Sequence, residues 1–133
     1  MQQRISLITL GVDDIETMSR FYTEVFGWMP LRQSTDQIKF FQLNGVKLAL
    51  FDRDALAEDA DIPAEGSGFR SFSLAYNLGS KEQVDVCFEE LISRGARIIK
   101  QPEMVYWGGY RGYIADPEGN LWELAWNPYL NDD

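Results

Sequence analysis

Hydrophobic positions along the chain switch between the two-residue period of a strand and the three-to-four-residue period of a helix. Residues Arg4 to Val12 are β-branched and leucine-rich and predict a largely buried strand. Asp13-Asp14-Ile15-Glu16 follows, with Asp13 as the expected N-cap and Glu16 closing a capping box. Ile15, Met18, Phe21, Tyr22, Val25 and Phe26 keep helical spacing, and Gly27 is the expected stop. Leu31 to Thr35, Gln37 to Leu43 and Val46 to Asp52 predict three short strands. Asn44-Gly45 is the hairpin turn between the last two. Asp54 to Gly68 breaks the pattern with acids, Ala, Pro and Gly, and reads as a connector with room for one helical turn.

The plan then repeats. Phe69 to Leu78 predicts a strand, and Ser80 caps a helix with Gln83 at the box position. Val84, Cys87, Phe88, Leu91 and Ile92 make its apolar stripe, and Gly95 ends it. Ala96 to Lys100, Gly109 to Ala115 and Asn120 to Asn127 predict three strands, with Asp116-Pro117-Glu118-Gly119 as a turn. The halves overlay, Arg4-Ile5-Ser6-Leu7 on Arg70-Ser71-Phe72-Ser73, and Asn44 to Leu50 on Glu118 to Leu124. The element order βαβββ–βαβββ predicts an α+β fold of two duplicated modules, residues 1–53 and 69–133, joined by connector 54–68 in a single domain. A ferredoxin-like α+β domain is the alternative from pattern alone.

Composition narrows the partners. The chain has 133 residues, 45% hydrophobic, with eight Phe, six Tyr and four Trp, so a packed core rather than disorder is expected. A net charge of −9 without any histidine disfavours nucleic acid and anionic membranes. It would attract a cationic ligand, although an acidic surface also simply confers solubility. The single cysteine, Cys87, rules out an intrachain disulfide and fits the cytoplasm. Met1 to Arg4 leads straight into a strand, so no signal peptide is expected, and no apolar run reaches membrane-spanning length.

Two motifs at opposite ends carry a family resemblance. Leu7-Ile8-Thr9-Leu10-Gly11-Val12-x-Asp14 with Ser19-x-Phe21-Tyr22 and Phe26-Gly27 resembles the first βα unit of the vicinal-oxygen-chelate superfamily, which includes glyoxalases, bleomycin-resistance proteins and extradiol dioxygenases. Gly112-Tyr113-x-x-Asp116-Pro117-x-Gly119-Asn120-x-Trp122-Glu123 resembles its last hairpin. The resemblance implies a cupped mixed sheet with helices on its outer face and, in metal-using members, one divalent ion held by His, Gln or Glu on four strands. Carried over, those positions are Leu7, Ala49, Ser73 and Glu123, of which only Glu123 keeps a ligand side chain. No metal or other cofactor is therefore expected. The departure argues against glyoxalase-type isomerase and ring-cleaving dioxygenase chemistry.

If strand alternation holds, the cup is lined by Leu7, Thr9, Ala49, Ser73, Ala75 and Glu123, with Arg111 and Tyr113 on the neighbouring strand and Trp107 and Tyr110 near its start. Such a lining suits a partly apolar or cationic organic molecule. Glu123 has two readings, a ligand-facing base or counter-ion, or a structural acid paired with Arg111. Glu123 with Tyr113 is the candidate acid–base pair. The glycine- and aromatic-rich stretch Tyr106 to Tyr113 reads either as pocket wall or as a bulged strand whose rings fill the core. Trp28, Trp122 and Trp126 read as core or interface. Cys87 has no histidine to activate it. The resemblance points to a metal-independent small-molecule binding protein of the bleomycin-resistance type, working as a homodimer. The rival readings are an enzyme of the same superfamily with a degenerate or unusual metal site, and a structural protein whose pocket has closed.

Overall fold

A computed structural model describes residues 1–129, so the last four residues of the expected second module lie outside it. The chain divides into two compact units, residues 1–66 and 67 onward. Among the described residues no helix is long and apolar enough to cross a membrane.

The first unit contains β1 (Leu7–Val12), α1 (Ile15–Arg20), β2 (Ile38–Gln42), β3 (Lys47–Asp52) and α2 (Arg53–Asp59). The sheet order is β1-β3-β2, with β1 parallel and β2 antiparallel to β3. A parallel pair cannot be closed by a tight turn, so α1 and the segment after it form the crossover. Alternation sends Leu10, Val12, Phe41, Leu48 and Leu50 to one face, where they are buried together with Met18, Phe21, Tyr22 and Val25. The helix widens after Arg20 into a π-turn over Phe21–Val25, with Phe26 N–H bonding Phe21 C=O at 3.3 Å. In that wider turn the neighbouring Phe21 and Tyr22 are both buried. Tyr22 meets Phe26, Trp28 and Phe41 at ring-centroid distances of 5.2, 5.7 and 6.1 Å.

Three expectations for this unit change. Asp14, not Asp13, caps α1. Its carboxylate accepts from Thr17 N–H at 3.1 Å and Thr17 Oγ1–H at 2.8 Å, and these bonds hold its carboxyl below the usual range. Either Asp has the side chain a cap needs, and the second one makes the bonds. Leu31 to Thr35 forms no strand. It folds back on β2 through Leu31 N–H to Phe40 C=O and Thr35 N–H to Ile38 C=O, both 2.7 Å, with Ser34 Oγ accepting from Phe40 N–H at 2.9 Å. The connector holds a two-turn helix, α2, capped by Asp52. A Cβ on Gly11 would meet Arg53 and Leu56 at 3.3 Å, so the bare glycine lets α2 cross the face that carries Leu7 and Thr9. Arg53 ties the rest of the connector down by donating to Ala64 C=O (2.6 and 2.8 Å) and Gly66 C=O (2.9 Å).

The second unit contains β4 (Ser73–Asn77), α3 (Lys81–Ser93), β5 (Arg97–Met104), β6 (Tyr110–Ala115) and β7 (Leu121–Trp126), in sheet order β4-β7-β6-β5. The crossover rule recurs: β4 runs parallel to β7, and α3 bridges out of β4. Ser80 accepts from Gln83 N–H at 3.1 Å, and Gln83 accepts from Gly79 N–H at 2.8 Å, an N-terminal lock close to the expected box. Val84, Phe88 and Leu91 are buried, as are Ile114, Trp122 and Leu124 on the sheet face that α3 covers. At the expected turn Asp116, 1% exposed, accepts from Glu118 N–H, Asn120 N–H and Asn120 Nδ2–H at 3.0, 2.9 and 2.8 Å.

β5 is longer than its expected end at Lys100. Pro102 is tolerated because β5 is the sheet's edge and slips register between Ile98 and Lys100 and again between Lys100 and Glu103. Gly112 on β6 lies under the second slip: a Cβ there would meet Lys100 O, Pro102 N and Pro102 Cγ, all at 3.0 Å. Two of these atoms are backbone and cannot swing aside. Gly112→Ala is therefore expected to lower unfolding free energy by about 1–3 kcal/mol, the usual range for overpacking. Urea denaturation followed by far-UV dichroism checks this; an unchanged midpoint would show that the bulge yields freely.

Candidate functional site

Cross-strand register assigns the expected site residues to faces. In the first unit Thr9 lies opposite Ala49 and Leu7 opposite Lys47, on the face away from α1's core. Ala49 is fully buried, and Leu7 is 41% exposed. This unit carries concavities. One, of about 350 Å³, is lined by Ile15, Asp36, Gln37, Phe51, Asp52 and Ala55. Another, of about 610 Å³, runs between Met1–Ile5 and Asn44–Val46. Neither is lined by Leu7, Thr9 or Ala49.

The second unit places most of the others together. On the sheet face away from α3, Ala75, Glu123, Tyr113 and Lys100 stand in one cross-strand row. Asn77, Ala125, Arg111 and Glu103 make the row on one side, and Ser73, Leu121, Ala115 and Arg97 the row on the other. Glu123 is thus central, half-buried, between the small Ala75 and the Tyr113 ring. Among the described residues it has no hydrogen bond and no ion pair. Arg111, the structural partner considered for it, turns instead to Glu103 (Nη1 to Oε1, 3.4 Å) and lies 5.7 Å from the Tyr113 ring centroid. Glu103 also accepts from Lys100 at 3.2 Å; Lys100 first, then Arg111, holds its carboxyl below the usual range.

Tyr110 and Trp107 stand apart from this group. Tyr110 pairs with Trp126 in register, on the face α3 covers, and its hydroxyl donates to Asp85 of α3 at 2.5 Å. Three residues from Tyr113, it has the opposite parity along β6. Trp107 occupies the β5–β6 loop, which closes through Val105 N–H to Gly109 C=O at 2.9 Å. Its indole lies over Gly109, where a Cβ would meet ring carbons at 2.2 to 2.8 Å. Trp122 is buried, and Trp126 has the Lys81 ammonium 5.7 Å from its ring centroid. Cys87 is half-buried on α3, and burial, then Glu90, pushes its thiol pKa up, which disfavours a nucleophilic thiolate. Glu103 is the residue that sequence reasoning missed: its link to Arg111 depends on a register slip that no pattern announces.

Neither unit offers a divalent ion much at these positions. Leu7 and Ala49 offer hydrocarbon, Ser73 a weakly ligating hydroxyl, and Glu123 one carboxylate. Among the described residues no group of three or more His, Cys, Asp or Glu side chains gathers where it could hold a metal.

The two units, one with a three-stranded and one with a four-stranded mixed sheet, have the α+β glyoxalase/bleomycin-resistance fold. The sequence model of the Glyoxalase/Bleomycin resistance protein/Dioxygenase superfamily matches residues 4–124, and the chain belongs to that superfamily. It is similar to a glyoxalase-related enzyme from Fulvimarina pelagi, with 37% identity, a TM-score of 0.85, and 96% of this chain and 90% of that one covered. A glyoxalase/bleomycin resistance protein/dioxygenase from Nocardioides matches at 27% identity and TM-score 0.84, covering 95% and 84%. A lactoylglutathione lyase from Agrobacterium tumefaciens matches at 25% identity and TM-score 0.73, covering 96% of each chain.

The Tyr110–Asp85 bond has a pH signature. Donation to Asp85, with smaller contributions from burial and from the charges of Asp85 and Glu82, pushes the Tyr110 hydroxyl up to about 12 from 10.0. The folded value is the higher one, so the stabilisation is complete below pH 10 and lost as pH rises toward 12. The thermal midpoint of the wild type is expected to fall more steeply than that of Tyr110→Phe across this window. Parallel curves would mean that the bond does not hold α3 to β6.

Proposed function

We propose that this chain is a metal-independent small-molecule binding protein that holds a partly apolar organic ligand on the second unit's sheet, around Glu123. The observation that carries the reading is a half-buried carboxylate on a regular strand with no partner among the described residues. A carboxylate so placed needs a donor, and a ligand is the natural source. The small, exposed Ala75 opposite it leaves room, and Tyr113 supplies a wall. A fragment screen by thermal shift tests this. A ligand at a hundred times its Kd stabilises the fold by about 2.7 kcal/mol, and Glu123→Gln is expected to lose most of that shift. Metal independence is tested by elemental analysis of protein purified without chelator, then by midpoints with Mn, Ni, Zn or Fe(II). A stoichiometric ion that Glu123→Ala loses would sink it.

A second reading is favoured by one feature. Tyr113 and Glu123 are direct cross-strand partners, a spacing that suits proton transfer between a bound substrate and the pair. The similar solved structures include a lyase. On this reading the chain is an enzyme, and Tyr113→Phe abolishes turnover while leaving binding intact.

A cytoplasmic homodimer completes the proposal. Phe69 (73% exposed) and Tyr76 (51%), just before and on the edge strand β4, are side chains that a partner copy would cover. Sedimentation equilibrium is expected to give twice the 15.3 kDa chain mass; a monomer at all concentrations would refute it.

A further inference from the structure

The net charge of −9 suggests a cationic ligand, but charge at a site is set by its own neighbours. On the face around Glu123, the β5–β6 side carries Arg97, Lys100 and Arg111 against the single acid Glu103. Arg111 is the distinctive member. Its side chain is only 16% exposed, yet its one ion pair among the described residues is the 3.4 Å contact with Glu103. Glu103 is 55% exposed and shared with Lys100, so it is a weak, displaceable partner. A guanidinium carries five N–H donors, and a single long contact leaves most of them without a protein acceptor. The residue sits on a central strand, and its guanidinium carbon lies 5.7 Å from the Tyr113 ring centroid. Glu123, one row over on the adjacent strand and within diagonal reach, does not take those donors. An arginine that is largely buried and oriented, with most of its donors free of protein acceptors yet still reached by solvent, suits an oxyanion, which accepts two parallel N–H bonds from its fork.

We propose that Arg111 is the specificity-determining residue of this site and that the ligand is an anion, with a carboxylate or phosphate-type group on Arg111. Its apolar body lies over Tyr113 toward Ala75 and Ala125, and Glu123 accepts from a hydroxyl or amide on it. Lys100 and Arg97 raise the local potential that draws the anion in. This rests on the reading that the face binds a small molecule at all.

The test uses four probes sharing one phenyl body: phenylacetate, phenyl phosphate, neutral 2-phenylethanol and phenethylammonium. Binding to the full chain is followed by NMR titration, including the Arg111 Nε–H resonance. The anionic probes are expected to bind at least about tenfold tighter than the neutral one and to shift that resonance, and Arg111→Gln to weaken them by about 10- to 100-fold, the worth of charged hydrogen bonds. Phenylacetate and phenyl phosphate separate the two oxyanion sources. If Arg111→Gln fails to fold, Arg111→Lys replaces it: the charge remains, the fork is lost, and anion binding should still fall. Tighter binding of phenethylammonium, or anion affinity unchanged in the variants, overturns the anion assignment and leaves small-molecule binding standing. Failure of all four probes to bind the wild type overturns both.

Discussion

Each unit depends on one pairing, the parallel contact of its first strand with its last, β1 with β3 and β4 with β7. Parallel neighbours cannot be closed by a two-residue turn, so the chain must leave the sheet and return over one face. That return is α1 with its π-turn in the first unit and α3 in the second. The covered face then demands an apolar surface, and the period of two sends every other residue away from it. Trp122 and Leu124 go under α3, while Glu123 between them is carried to the opposite side. Slipping β7 by one residue would bury the carboxylate and expose both apolar neighbours, so the same force that packs the core fixes the direction of the acid.

The turn before β7 makes that register rigid. Asp116 is almost fully buried and spends its oxygens on two backbone amides and the Asn120 side chain. A buried acid with this many donors costs little, whereas losing it would strand several of them. The opposite strategy holds at β5, where Pro102 and two slips leave the edge irregular and poorly suited to pairing with another strand. Those slips also bring Glu103 opposite Arg111, and the guanidinium pairs with Glu103 rather than with Glu123.

Much of the architecture was legible in the residues because it rests on local chemistry. Asn44-Gly45, Asp116 to Gly119, Ser80 with Gln83, and the stripe of α3 each announce an element through a turn, a cap or a period. What was misread involves choices between equally good local options. Asp13 and Asp14 are both competent caps, and in the fold Asp14 takes the position. Leu31 to Thr35 has strand-like residues, yet its hydrogen bonds go back to β2 as a turn. The strand expected to end at Lys100 runs on through Pro102 to Met104, because an edge position removes the cost of the missing N–H.

The sequence by itself determined the repeated strand–helix–hairpin plan (though not the strand number of the first unit), the faces of β1, β3, β4 and β7, and the side-chain chemistry at the positions that the family resemblance assigns to metal ligands, because alternation and side-chain chemistry are properties of the residues alone. Tertiary structure alone decided that Tyr110 bonds Asp85 on the far face, that α2 crosses Gly11, and that Arg111 pairs with Glu103 rather than Glu123. Those outcomes depend on the register of neighbouring strands and on which helix lies overhead. Such long-range contacts are fixed by packing and leave no period in the chain.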